Sequence, residues 1–362
     1  MSTIIYYITG HGYGHSTRSI ELIKTLLKKH SDLFFHIRTD APQWLFELNL
    51  DSNYQLHNVK LDIGAVQETS FHIDKEKTFE EVKKLYKQKD EIVKRESAFA
   101  AQAGANLIIA DIPPLAFDIA KAAGIPGIGL ANFSWDWIYQ DYIDVIPEFD
   151  SLIQQIKASY SKADLLLRLP FYGDLSAFPK IVDIPLIARK AELPKERVLQ
   201  LLEIAPRKRD KLILLAFRAN DLKEVELEKI ASLQGFKFIT LGLSKTYKNC
   251  LNLPANFIRF PDLLNACDAA ISKPGYGLVA EIIANQTPLL YTSRNDFVEY
   301  EALVQGLKEY AVAKELLRED FFAGSWQEHF GALLQQPANW KQIELNGAEI
   351  AADEVLRLTD EG

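Results

Sequence analysis

Short apolar runs rich in β-branched and aromatic residues alternate with helix-period stretches along almost the whole chain, and the alternation starts afresh halfway. In the first series Ile4–Ile8 reads as a strand, and Ile20, Ile23, Leu26 and Leu27 mark the helix after it. Phe34–Arg38 is the next strand, and Leu107–Ala110 and Ile125–Leu130 read as buried parallel strands. The second series predicts strands at Leu212–Ala216, Lys237–Leu241, Ala269–Ser272 and Pro288–Tyr291. Its helices fall at Leu222–Leu233, Asp262–Cys267 and Leu278–Ala284. A parallel neighbour is reached only through a long crossover, so this order implies βαβ units and parallel sheets. The expected class is α/β, with two open sheets facing each other across a cleft. In such sheets ligands bind beyond the carboxyl ends of the strands.

The linker is expected near Ile187–Lys190, giving domains over residues 1–187 and 188–335, and a C-terminal helical segment over 336–362 that packs back on the first domain. A length of 362 residues fits two domains, at ~150 residues each. The densely charged Asp74–Ser97 reads as a solvated amphipathic helix, and Ile343–Leu358 as one amphipathic helix.

The net charge of -8 argues against nucleic acid or an anionic membrane as the main partner. The 2 cysteines, Cys250 and Cys267, form no zinc pattern and suit a reducing compartment. The N-terminus lacks a basic n-region and cleavage site, and no apolar run suits a transmembrane segment. A cytoplasmic location is expected, with no bound metal and no cofactor.

Two glycine-rich loops close strands. In Gly10-His11-Gly12-Tyr13-Gly14-His15, the glycines Gly12 and Gly14 let the backbone approach a ligand, and the following helix offers its N-terminus to an anion. The spacing matches neither a P-loop nor a full dinucleotide fingerprint. His15 stands at the helix entrance as a general base for an attacking hydroxyl, or as a helix cap. Arg18 binds a carboxylate or phosphate, or pairs at the surface. Ser272-Lys273-Pro274-Gly275-Tyr276-Gly277 forms the second cradle, with Glu281 in the first turn of the next helix as a ribose ligand or a dipole-matched acid. Arg218 can add a cation near phosphates. Trp135 and Trp137 either stack on an acceptor ring or belong to the core, and Asp111 and Asp136 are reserve candidates for the base.

These stretches, together with Asn132–Tyr139, Asp183–Leu186 and Leu253–Ile258, resemble the GT-B glycosyltransferase superfamily, in particular its MurG-like group. They are most similar to the N-terminal glycosyltransferase-like region of plant L-arabinokinases. The resemblance runs through nearly the whole chain. It implies two Rossmann-like domains, the first on the acceptor side and the second binding a nucleoside-diphosphate sugar, with a UDP-sugar expected. By the family pattern Glu281 binds the ribose and backbone near Phe260 the base. Gly275, Tyr276 and Gly277 lie by the diphosphate with Arg218 and Lys273, while Asp296 and Glu301 approach the donor sugar. The activity implied is an inverting, metal-independent transfer to an acceptor hydroxyl. Two further readings are a nucleotide-sugar hydrolase, since Gly12–Arg18 also resembles the hydrolases of pseudaminic acid biosynthesis, and a non-catalytic sugar-nucleotide sensor. The glutamine pair that MurG-like enzymes place after the aspartate is absent; Glu299, Tyr300 and Glu301 stand there. No ATP-phosphate loop is found, so kinase activity is not expected.

Overall fold

The computed structural model describes residues 2–67, 69–204, 210–245, 247–294 and 297–360. The chain forms two compact units. The first comprises Met1–Gln67, Ile73–Ile187 and Glu344–Gly362; the second comprises Glu68–His72 and Ala188–Ile343.

The first unit is built on a parallel sheet of β1 (Thr3–Ile8), β2 (Phe34–Thr39), β3 (Tyr54–Asn58), β4 (Ala105–Asp111), β5 (Gly127–Ala131), β6 (Leu165–Arg168) and β7 (Ile181–Asp183). Their order is β3-β2-β1-β4-β5-β6-β7. β1 lies at the centre, with Ile5 opposite His36 on one side and Ile108 on the other. Its residues Ile4 to Tyr7 are fully buried, as expected of a strand covered on both faces. The helix Tyr13–Lys29 follows, burying Ile20, Leu22, Ile23 and Leu26 and placing Lys28 and Lys29 at its negative end.

The second unit repeats the plan with β8 (Lys211–Leu215), β9 (Phe236–Leu241), β10 (Cys250–Leu253), β11 (Ala269–Ser272), β12 (Leu289–Thr292) and β13 (Ala313–Leu316). Their order is β10-β9-β8-β11-β12-β13. Each sheet reverses its winding beside its own first strand, between β1 and β4 and between β8 and β11. Those are the switch points at which doubly wound sheets leave a crevice for ligands.

The terminal helix Gly347–Asp360 belongs to the first unit. Leu186 N–H donates to the Glu344 carbonyl at 3.1 Å and Gly347 N–H to the Leu186 carbonyl at 3.3 Å. Lys29 pairs with Asp353, which ties this helix to Tyr13–Lys29.

Three elements depart from the sequence reading. Asp74–Ser97 is two helices, Lys75–Tyr86 and Lys89–Gln102. The apolar stripe Phe79, Val82, Tyr86 meets Lys89 and Asp90 where the period would continue, and it resumes out of phase at Ile92. Leu222–Leu233 is a 3-10 turn, Ala219–Leu222, and a short helix, Leu227–Ile230. Between them the Glu226 N–H donates to the Phe322 carbonyl at 3.0 Å instead of continuing a helix. The helix after β11 begins at Tyr276, so Glu281 stands in its second turn and loses the dipole argument.

Candidate active site

β1 ends at Ile8 and β4 at Asp111, on either side of the first switch point. Gly12, at φ 84°, turns the chain into the helix as its N-cap, and His15 follows in the first turn. Its Nδ1 lies 2.7 Å from Asp111 Oδ1. Arg18, one turn on, donates from Nε to Asp111 Oδ2 at 2.6 Å and from Nη1 to Asn132 Oδ1 at 2.7 Å. Its Nη2 reaches Asp111 Oδ1 at 2.5 Å and approaches His15 Nδ1 at 3.0 Å. Ser19 Oγ donates to Asp111 Oδ2 at 3.1 Å.

Nδ1 of His15 thus faces both an acceptor, Asp111 Oδ1, and a donor, Arg18 Nη2. The carboxylate takes protons from Arg18 and Ser19, and a proton on His15 Nδ1 would point at its Oδ1. In that tautomer the lone pair is on Nε2. Asp111 is fully buried. Burial alone would raise its carboxyl, but Arg18 and then His15 outweigh that and hold it below the ordinary carboxylate range. The His15 ring packs edge-on against Phe133, with centroids 5.5 Å apart.

A second buried carboxyl adjoins this loop. Asp62 accepts from Thr9 Oγ1 at 3.0 Å and from Trp135 Nε1 at 2.8 Å. Burial, only partly offset by those bonds, pushes it up to about 7. Trp135 is itself buried, stacked on Tyr139 at 5.6 Å and edge-on to His11 at 5.3 Å. It therefore pins the loop and does not present a face to an acceptor. Trp137 is half-buried, and a Cβ on Gly173 would lie 2.3 Å from its ring. Asp136 is buried, raised by desolvation, with Ser134, Lys157 and Asp174 as its electrostatic neighbours rather than His15. Arg18, expected at a donor phosphate, is 3% exposed and held by Asp111 and Asn132, so it serves the histidine–aspartate pair.

In the second unit, Phe217 and Arg218 leave β8, Ser272 and Lys273 end β11, and Arg294 follows β12. Asp221 accepts from Ser70 N–H and from Ser70 Oγ, each at 2.7 Å. Arg218 Nη2 donates to Ser70 Oγ at 3.0 Å, and Arg294 Nε to the Ser70 carbonyl at 3.2 Å. Desolvation, then Arg294, lowers Lys273 well below the lysine range, with Asp221 acting against them. Gly275 caps the helix with open space where a Cβ would project; Tyr276 and Gly277 open its first turn. Glu281 accepts from Arg189 Nε at 2.6 Å, both side chains buried. Phe260, half-buried, starts the helix Phe260–Ala266, and Glu301 is exposed in the first turn of Tyr300–Tyr310. Asp296 lies outside the described residues.

The sequence reading did not single out Asp62, Asn132, Ser70, Asp221 or Arg294. Asn132 carries a signal that would have found it: a polar residue directly after a buried strand. Ser70 and Asp221 carry none, because they meet only in the folded chain.

Two doubly wound parallel sheets, each with its own switch point, make up the chain, and it has the GT-B glycosyltransferase fold. It resembles the calicheamicin glycosyltransferase CalG4, with a TM-score of 0.63 at 14% identity over 99% of this chain and 98% of that one. VinC, solved with dTDP, gives 0.59 at 16% identity over 99% and 100%. UGT89C1 of Arabidopsis thaliana, solved with UDP-L-rhamnose, gives 0.60 at 15% identity over 99% and 97%. In sequence, the chain is 31% identical to L-arabinokinase of Arabidopsis thaliana over 363 residues, 96% of this chain and 33% of that protein. It thus spans about a third of the length of this curated relative. No protein-family model matches the chain.

Proposed function

We propose that the protein transfers a glycosyl group from a nucleoside-diphosphate sugar, a UDP-sugar, to an acceptor hydroxyl with inversion at the anomeric carbon. The observation that carries this reading is the His15–Asp111 pair at the first switch point. Nε2 of His15 takes the acceptor's proton as its oxygen attacks C1, the C1–O bond to the diphosphate breaks, and Asp111 stabilises the imidazolium that forms. Direct attack by the acceptor gives a single displacement and hence inversion. The leaving diphosphate receives its counter-charge from Arg218 and Lys273, with the Gly275–Gly277 helix terminus supplying N–H donors. Arg218 and Arg294 outnumber Asp221, which supports departure of the diphosphate without a metal ion.

Glu281 keeps a place in this reading as a ribose ligand oriented by Arg189. The backbone near Phe260 contacts the base, and Glu301 with Asp296 the donor sugar. A thermal-shift panel of nucleoside-diphosphate sugars identifies the donor, followed by assay of nucleoside-diphosphate release with and without an acceptor pool. Release only with acceptor is expected. Full-rate release of free sugar in water would assign a hydrolase, and binding without release a sensor.

A further inference from the structure

Residues 68–72 leave the first unit's chain and return to it, yet they belong to the second unit. Thr69 and His72 pair across the turn. Phe71 is buried in the second unit's core, 5.5 Å from Phe321 and 5.3 Å from Phe322 by ring centroids. Ser70, 2% exposed, is tied through its N–H, hydroxyl and carbonyl to the loops after β8 and β12. Such an anchored serine does more than fill space, because of what Asp221 would otherwise do.

Asp221 is the acid among Arg218, Lys273 and Arg294. Its Oδ2 already lies 3.7 Å from Arg218 Nε. A carboxylate among cations pairs with them and cancels their attraction for a ligand anion. Here Oδ1 accepts the Ser70 N–H, and Oδ2 accepts the Ser70 hydroxyl and, at 3.3 Å, the Arg218 backbone N–H, so Ser70 engages both oxygens. Burial alone would raise this carboxyl; Lys273, the two Ser70 donors and Arg218 together hold it below the usual range, so it stays charged and held.

We infer that Ser70 is a positioning residue for the phosphate site: by occupying both carboxylate oxygens of Asp221 it keeps that acid's contact with the Arg218 guanidinium longer than a hydrogen bond, and so leaves the Arg218 charge to an incoming diphosphate. The inference rests on the donor reading for the anion's identity. Its own content is the competition between Asp221 and the ligand, which inorganic pyrophosphate probes directly.

Calorimetric titration of the full chain with UDP and, separately, with inorganic pyrophosphate tests it. Ser70→Ala should weaken both ligands about tenfold, equivalent to ~1.4 kcal/mol, and Ser70→Thr should bind like wild type. Ser70→Ala combined with Asp221→Asn should regain affinity, because the competing charge is gone; a purely structural serine would not be rescued this way. Should Ser70→Ala not fold, Ser70→Cys, whose thiol donates weakly, carries the same comparison. Unchanged affinity in Ser70→Ala, or no recovery in the double variant, overturns the inference and leaves the donor reading intact. Pyrophosphate binding with this pattern but no nucleotide binding overturns the donor reading alone. A wild-type chain that binds neither overturns both.

Discussion

His15 and Asp111 differ in what else depends on them. His15 contributes a ring at the helix entrance, whereas Asp111 also neutralises the buried Arg18. His15→Ala should lower turnover by ~10²–10⁴-fold, the usual worth of a general base, with the unfolding midpoint little changed. Asp111→Asn should lose turnover and also about 3–5 kcal/mol of stability, because it leaves Arg18 buried and unneutralised. Chemical denaturation beside steady-state assay separates the two, and an active His15→Ala enzyme would move the base elsewhere. Glu281 behaves like Asp111 in this respect: replacing it removes a buried carboxylate paired with Arg189, so the variant's nucleotide affinity must be compared at equal fraction folded. Asp62 gives a pH signature. Its carboxyl sits at about 7 in the fold against an ordinary 3.8, so between those values the native state holds a proton that the unfolded chain has released. Stability should therefore fall as pH rises through this window and level off above it, at no more than about 1.4 kcal/mol per pH unit. Asp62→Asn should flatten the slope. Parallel slopes in urea unfolding of the two proteins would remove Asp62 as the cause.

At the scale of elements, the start of the terminal helix is packed directly against backbone. A Cβ on Gly347 would lie 2.1 Å from the Pro185 carbonyl oxygen and 3.0 Å from Ile187 Cγ1. Backbone cannot yield as a side chain does, so Gly347→Ala should cost about 1–3 kcal/mol or more, read as a lowered melting temperature. An unchanged midpoint would mean that the helix start shifts freely. The same contacts show why some elements were legible from sequence and others not. The central strands β1, β4, β8, β11 and β12 are short apolar runs between loop signals, and covering on both faces makes them so. Edge strands lack that signature: β3 reads Tyr-Gln-Leu-His-Asn and β13 Ala-Lys-Glu-Leu, half-exposed and weakly patterned. In the candidate site, His15, Lys273 and the glycine loops stood out because they occupy strand ends within one stretch of chain. Asp62 and Ser70 did not, since their partners Trp135 and Asp221 are 73 and 151 residues away.

For the molecule as a whole, the proposed mechanism, in which protein-borne cations balance the leaving diphosphate, predicts turnover that is insensitive to chelation. Activity should survive EDTA, and loss restored by Mg²⁺ or Mn²⁺ would refute a metal-free mechanism. The division of the chain has a different consequence. The first unit is completed by Glu344–Gly362, after the chain has passed through all of Ala188–Ile343. Ending the chain at Ile343 should therefore destabilise the distant helix that carries His15, measurable as faster proteolysis within residues 13–29, while the second sheet keeps its protection. On the ribosome, the second unit can fold while the first still waits for its last helix. Synthesis therefore leaves one flank of Tyr13–Lys29 uncovered until residues 347–360 emerge, so the histidine-bearing unit is completed only after the whole of Ala188–Ile343 has been made.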